Sequence, residues 1–376
     1  MSGRKSVNMK SRGQDLKLYE EAVAYYHSEY ERLHKLKPTK DVKAQIAEVL
    51  MNLGDTEYGL GEWDKALSFY YQAIELILYM RPFKVKIDLY RKLGRLNEDR
   101  SNWDKALDLY HKSAKISKKF NNEHLEKVYR GIGRVYWRKG NLKKAAEYFN
   151  KSLPLARKSK DVTLLSNLYV DLGNIYSETG NPGRAILQYN KGLKTLDKAG
   201  NVFDKSRIYN NMGDSYLKQL DLKNAIKYFE MCIKNSEKTN NLRMLGYGLL
   251  NAGEVYARSN KNDMALKYSD RAMKIFNKLN EKYVISMGYM IYGMIYRNKR
   301  NWKKSTENFM ISIAMLKDLN IPYYLAKTYF EFGIMYRDKS DLENAKKHFK
   351  EALKIFKDFG AKKDIKLTSD VLKSLK

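Results

Sequence analysis

The 376-residue chain has a single cysteine, Cys232, and only five prolines. One cysteine excludes an internal disulfide framework and a cysteine-based zinc site. So few prolines among 43% apolar residues fit an ordered globular chain rather than a disordered one. Long apolar runs are also missing. The longest uncharged stretch, Tyr283 to Tyr296, has 14 residues, short of the ~20 needed to cross a bilayer. The N-terminal MSGRKSVNMK has no apolar core of signal-peptide length, so a soluble, cytoplasmic protein without membrane association is expected. Five histidines (His27, His34, His111, His124, His348) are scattered without metal-ligand spacing. Gly59-x-Gly61 and Gly131-x-Gly133 follow no strand, and no phosphate loop, carboxylate pair or triad stands out. The reading is non-enzymatic, with no catalytic residue, no metal and no cofactor. Acidic residues are outnumbered, 43 Asp+Glu against 72 Lys+Arg, for a net charge of +29.

What the chain has in quantity is a period. Glycines stand at Gly54, Gly94, Gly133, Gly173, Gly213, Gly253, Gly293 and Gly333, 39 or 40 residues apart. Twelve residues after each comes Ala or, once, Ser (Ser305), and four further on an aromatic, with Ser269 the exception. Another small residue follows three positions later, and Cys232 occupies one of these slots. A fixed period with this many matched positions marks a solenoid. Apolar spacing around each glycine predicts one helix, and the aromatic between small residues predicts a second. Asn102, Asn141, Asn181, Asp221, Asn301 and Asp341 suit N-caps of the second helices. Asp41, Asp161, Asn201, Asn240, Asn280 and Asn320 would cap the first helices, and Pro182 and Pro322 fit first helical positions. Pro154 falls inside a second helix and predicts a kink or early end. The small residues are expected where two helices cross closely, with the aromatics filling the volume beside them.

These residues resemble the tetratricopeptide repeat. The fourth copy carries the pattern in full: Tyr169, Leu172, Gly173, Tyr176, Ala185 and Tyr189. The resemblance implies an all-α, right-handed α-solenoid of eight helix-turn-helix repeats over residues 41–80, 81–119, 120–159, 160–199, 200–239, 240–279, 280–319 and 320–358. A basic flexible tail (1–14), an N-terminal capping helix (15–40) and a C-terminal capping helix (359–376) would flank the array, because terminal repeats need polar caps. The period of 40 exceeds the usual ~34 residues, and the proline that usually closes the second helix is absent. Repeats of this length are similar to those of spindle-orientation adaptors and bacterial quorum-peptide regulators.

Thirty tyrosines and the positive charge invite a nucleic-acid reading, but the period places half of the tyrosines in the core. Twelve occupy two first-helix positions: Tyr90, Tyr129, Tyr169, Tyr209, Tyr289 and Tyr329, then Tyr136, Tyr176, Tyr216, Tyr256, Tyr296 and Tyr336. Tyr70, Tyr110 and Tyr189 fill the second-helix aromatic slot. The lysines are spread in short clusters, a solvated face rather than a phosphate track.

At about 100° per residue, positions −6, −3, +1 and +5 relative to each repeat glycine form a stripe beside the core face. The resemblance makes that stripe the wall of the concave groove. It holds Arg91, Arg95, Arg130, Arg134, Arg138, Arg207 and Arg258 against only Lys127, Lys218 and Lys327, whereas the whole chain has 19 Arg and 53 Lys. Arginine's planar fork matches carboxylates and phosphates. The cluster therefore reads either as surface pairs with acids such as Asp88 and Asp99 or as an anion clamp, and the clamp is the reading adopted. Further along, the stripe presents Asn167, Asn174, Asn210 and Asp214, then Tyr247, Leu250, Met287, Met290, Met294, Phe330 and Ile334. By resemblance, groove asparagines hold a ligand's main chain. The apolar residues are either covered by the C-terminal helix or form an apolar, Met-rich end to a bipartite groove.

The expected function is a non-catalytic scaffold or adaptor that binds a protein or peptide segment, acidic at one end and apolar at the other, in the groove. Two alternatives stand beside it. One is a nucleic-acid-binding protein using the basic surface, which would have at least a weak, salt-sensitive affinity for polyanions. The other is a signalling-peptide receptor whose solenoid tightens on its ligand.

Overall fold

A computed structural model describes residues 12–375 except Pro82, and every regular element among them is an α-helix. In chain order these are α1 (Arg12–His34), α2 (Lys40–Leu60), α3 (Trp63–Leu76), α4 (Phe83–Asp99), α5 (Trp103–Lys119), α6 (Leu125–Arg138), α7 (Leu142–Ser159), α8 (Val162–Glu178) and α9 (Pro182–Lys198). They continue as α10 (Lys205–Leu217), α11 (Leu222–Lys238), α12 (Leu242–Arg258), α13 (Asn262–Leu279), α14 (Lys282–Asn298), α15 (Trp302–Asp318), α16 (Pro322–Asp338), α17 (Leu342–Phe359) and α18 (Lys362–Ser374). The expected basic tail lies outside the described residues except for its last three, which already belong to α1. No helix among the described residues is long and apolar enough to cross a membrane.

From α2 to α17 the helices pair as helix-turn-helix units in register with the glycines. The chain divides into two compact units, Met1–Thr195 and Leu196–Lys376, with the boundary inside α9. Within each unit a first helix packs on its own partner and also on the next first helix: α4 on α6 and α6 on α8 in one unit, α12 on α14 and α14 on α16 in the other.

The crossing inside each pair has one recurring cause. A Cβ on Gly173 would lie 2.4 Å from the ring of Tyr189, and one on Gly54 would lie 2.4 Å from the ring of Tyr70. The second-helix aromatic lies flat on the bare glycine backbone of the first helix. The same contact recurs at Gly133 with Phe149, Gly213 with Phe229, Gly293 with Phe309 and Gly333 with Phe349. These rings are fully buried, and each contributes on the order of 2–3 kcal/mol by burial. The tyrosine hydroxyls are also satisfied: Tyr70 donates to Asp55 at 2.7 Å and Tyr189 to Asn174 at 2.8 Å. None of the twelve first-helix tyrosines is exposed. Cys232 is fully buried, and burial pushes its thiol up to about 12.

Helix ends follow the short polar residues in part: Asn102 begins α5 without a side-chain cap bond, Asn181 donates its amide to Thr179, and Thr39 rather than Asp41 caps α2. Asn141, Asp221, Asn301 and Asp341 cap second helices by accepting from the backbone N–H three residues on, at 3.0 to 3.2 Å. Asp161 caps α8 in the same way. Asn240, Asn280 and Asn320 do not start the next helix. They sit at the end of the preceding one with φ of 52°, 53° and 51°. This is the left-handed conformation that asparagine tolerates better than other side chains, and Gly200 and Gly360 hold the equivalent positions with φ of 65° and 73°. Asn241 caps α12 instead, accepting from Met244 at 3.1 Å.

Pro154 does not end its helix, because α7 runs on to Ser159. Asn150 and Pro154 are both exposed, so water can serve the Asn150 carbonyl that loses its donor. Pro182 and Pro322 open α9 and α16.

The copy lacking the aromatic is different. Ser269 lies against Gly253, with its Oγ 2.5 Å from where a Cβ would stand. That hydroxyl is buried and makes no hydrogen bond.

These contacts make three stability predictions. Gly173→Ala, forced against Tyr189, is expected to destabilise by about 1–3 kcal/mol. Gly183→Ala, with nothing within 4 Å of its Cβ, should be neutral or stabilise by up to ~1 kcal/mol. Ser269→Ala removes an unsatisfied hydroxyl and should stabilise by about 1 kcal/mol. Thermal unfolding of the three variants checks each sign.

Candidate functional site

In the first unit the stripe positions of α4, α6 and α8 meet around one cavity of about 310 Å³. Arg91 and Arg95 come from α4, Lys127, Arg130, Gly131 and Arg134 from α6, and Thr163, Leu164 and Asn167 from the first turns of α8. Asp161 and Tyr110 complete the wall. Six residues singled out by the stripe (Arg91, Arg95, Lys127, Arg130, Arg134 and Asn167) are thus brought to one place. Arg138 and Asn174 are not. Arg138 is exposed beyond the cavity wall, and Asn174 accepts the Tyr189 hydroxyl.

Each cation in the wall has an acidic partner. Arg91 pairs with Asp88 at 2.9 Å and Arg95 with Asp99 at 2.8 Å, the two pairings that the alternative reading of the arginines named. Lys127 stands 3.7 Å from Asp161. Arg130 Nε donates to Asp171 at 2.6 Å, and Arg134 Nη2 donates to Glu98 at 2.6 Å. The acids are the more deeply placed partners. The side chains of Asp171 and Glu98 are 5% and 1% exposed, against 21% and 15% for Arg130 and Arg134. The pairs therefore fix the guanidinium groups from one side, while their remaining N–H groups are left for the cavity. Burial works against charge on Asp88, but Arg91 and its neighbours hold that carboxyl below its ordinary value. On Glu98 burial prevails over the pull of Arg95 and raises the carboxyl to about 7.

The second unit departs from the expected apolar groove. Met290 and Met294 are fully buried, and Leu250 and Met287 nearly so, in one core with Phe332 and Met335. The physical reason is the packing of α14 between α12 and α16, which turns the stripe into an interface between repeats. Phe330 and Ile334 are covered instead by Val371, Leu372 and Leu375 at the C-terminal end, so for these two the covering helix is the correct alternative. Tyr247 is half-buried, edge-on to Phe276, with its hydroxyl 3.3 Å from Glu281. Asn210 accepts from Asn251 at 2.9 Å, and Arg207 is half-buried.

In place of an open patch, the stripe of this unit carries an ion bridge. Arg258 of α12 reaches Glu254 at 2.8 Å and Glu331 of α16 at 3.0 Å, and Arg297 of α14 reaches Glu331 at 2.9 Å. Three successive first helices are tied through one carboxylate that is 5% exposed. Burial opposes charge on Glu331, yet Arg258 and Arg297 together hold its carboxyl below the ordinary value.

Sequence reasoning missed the acids that organise both sites. Asp171 and Glu331 stand at position −2 and Glu98 at +4 relative to their glycines, about 20° outside one edge or the other of the stripe. The available signal was a charged residue beside the core face of a first helix. Among the described residues no group of three or more His, Cys, Asp and Glu side chains is placed to hold a metal ion.

Sequence profiles of the tetratricopeptide repeat match residues 46–77, 86–158, 128–198, 206–239 and 326–359, together more than half of the chain. No curated protein matches the sequence at a significant level. Among solved structures, the apo form of the quorum sensor NprR from B. thuringiensis aligns with a TM-score of 0.68 at 16% identity, over 92% of this chain and 98% of that one. The apo form of RapI aligns with a TM-score of 0.65 at 14% identity, over 73% and 99%. The Rap conjugation gene regulator of the plasmid pLS20, in complex with the Phr* peptide, aligns with a TM-score of 0.59 at 15% identity, over 94% and 98%. At these identities the likeness is one of fold.

The Glu331 bridge makes a stability prediction. Glu331→Gln leaves two guanidinium groups without their shared acid and should destabilise by about 3–5 kcal/mol. Because the folded carboxyl is depressed, its contribution is complete above the unfolded value of 4.5 and is lost as pH falls below it. Thermal unfolding at pH 7 and pH 3.5 should therefore show the full separation at the higher pH and a gap narrowed by up to about 1.4 kcal/mol at the lower.

Proposed function

Because the chain belongs to the tetratricopeptide repeat family, we propose that it is a non-catalytic binding protein whose first unit takes an acidic segment of a protein or peptide partner into the cavity between α4, α6 and α8. The observation that carries the reading is convergence. Five cations from two first helices and Asn167 from a third line one cavity. The acids paired with the four arginines stand outside the lining, so these donors are oriented in advance and little ordering is left for the ligand to supply. Asn167 adds an amide that can both accept from and donate to a peptide main chain. The leucine and threonine beside it, Leu164 and Thr163, suit a peptide better than a bare polyphosphate chain.

The likeness in fold to a quorum sensor and to a regulator bound to a peptide supports a peptide ligand. It also supports the narrower version in which that peptide is a signal and the protein its receptor. A scaffold that holds a partner protein by an acidic segment uses the same cavity. Nucleic-acid binding through the general positive field is the competing account, and it does not need the cavity.

The experiment selects heptapeptides from a random library on the full chain, then measures their affinity for wild type and for Arg91→Gln/Lys127→Gln. These two cations are chosen because their partners Asp88 and Asp161 are only half-buried, so their loss leaves no deeply buried acid unpaired. Selected peptides should be rich in Asp and Glu. Binding should weaken about tenfold or more in the double variant, equivalent to ~1.4 kcal/mol, and again as salt is raised. Undiminished binding by the double variant overturns the reading. Oligonucleotide binding that outcompetes the peptides and ignores the two substitutions puts the nucleic-acid account in its place.

A further inference from the structure

A buried acid stands behind the cavity wall. Glu98 is 1% exposed and is bonded by two groups that also line the cavity, Arg134 Nη2 at 2.6 Å on Oε1 and the Tyr110 hydroxyl at 3.1 Å on Oε2. An anion that enters and bonds Arg134 therefore shares one guanidinium with a buried carboxylate. The charges around Glu98 do not compensate a second anion. On its own helix Arg95 is taken by Asp99, which also receives the Tyr58 hydroxyl from α2. From α6 come Arg134 itself and the exposed Arg138, and from α5 the neutral Tyr110. Asp99 is a like charge on the next residue. Asp171, the other buried acid of the site, has Arg130 to itself.

We propose that the cavity binds an oxyanion together with a proton: the anion shares the Arg134 guanidinium with Glu98, and Glu98 takes a proton from solvent as the anion enters. The inference rests on the cavity being the ligand site and adds the chemistry of its ligand, a carboxylate or phosphate oxyanion, and a coupling to pH. Two anions on one cation in a poorly solvated place cannot both stay ionised, and the one already raised by burial, to about 7, is the one that yields. The proton comes from buffer and returns to it when the anion leaves, and no bond to the ligand forms or breaks. Acidification then strengthens binding.

The test uses sodium sulfate as probe, because it does not itself take up a proton between pH 6 and pH 9. Calorimetric titration of the full chain at fixed ionic strength, in two buffers of different ionisation enthalpy, counts the protons. Uptake should be less than one proton near pH 7, because burial already favours the protonated carboxyl there, and should rise toward one as the pH is raised. Sulfate affinity should fall by up to about tenfold per pH unit above 7 and level off below it. Glu98→Gln should bind sulfate with no proton uptake and a flat pH profile. Tyr110→Phe keeps the buried ring but removes the hydroxyl that favours the ionised carboxyl, so the transition should move to higher pH. That variant decides the matter if Glu98→Gln does not fold. Uptake that persists in Glu98→Gln, or a Tyr110→Phe transition at the wild-type pH, overturns the proposal. So does sulfate binding without uptake, or no sulfate binding, in a protein that still takes the selected acidic peptides, and in those cases the peptide reading stands. Failure of the peptides themselves overturns the reading on which the proposal rests.

Discussion

An aromatic ring lying on a bare glycine backbone is the contact on which the rest of the structure depends. It brings the two helices of a pair so close that only glycine fits on one side and only alanine or serine on the other. At Gly133 an added Cβ would also come within 3.2 Å of the Ala145 carbonyl oxygen. Interiors packed this densely resist the insertion of a methyl group, so the contact restricts how the two helices can cross. Everything placed by counting from the glycine inherits that restriction. The charged stripe is one such thing, because a residue at −3 or +1 is carried to the same side of each first helix. In the copy where Ser269 replaces the ring, the crossing persists and leaves a buried hydroxyl without a partner. Neighbouring copies therefore hold the geometry of one that lacks its own contact, as expected of an array stabilised by interfaces between repeats.

The same register produces opposite results in the two units because the stripe residues differ in what they can bury. In the first unit the stripe is arginine-rich, and long cationic side chains keep their heads toward water while pairing with acids behind them. A cavity survives between the helices. In the second unit the stripe carries Leu250, Met287, Met290 and Met294, which gain more by closing the space than by lining it. Among the charges there, Arg258 and Arg297 are joined in a bridge through Glu331. Neither arrangement is inexpensive. Asp171, Glu98 and Glu331 are buried carboxylates, and a buried ion pair is weak evidence of stability in itself. What such pairs supply is orientation. Around the cavity they hold guanidinium groups in fixed directions, and across α12, α14 and α16 they fix the relation of three helices.

Glycine, small and aromatic residues recurring at one period determined the pairing of helices, the burial of the tyrosines and the place of the cysteine, because those features depend on local spacing and on volume alone. The convergence of Arg91, Arg95, Lys127, Arg130, Arg134 and Asn167 was legible for the same reason: a fixed period carries equal positions to one face. Two things were decided by tertiary structure. Whether a stripe is open or closed depends on how tightly successive first helices pack, and that distance is a property of several repeats at once, so the methionines could not be placed from their own positions. Which acid meets which arginine depends on partners 36 or 41 residues away, as with Glu98 and Arg134 or Arg130 and Asp171. These acids fall just outside the stripe, where helical periodicity alone reads them as neither core nor wall. Asn240, Asn280 and Asn320 belong with them, since an asparagine suits both a helix start and a left-handed helix end, and only the path of the chain chooses between the two.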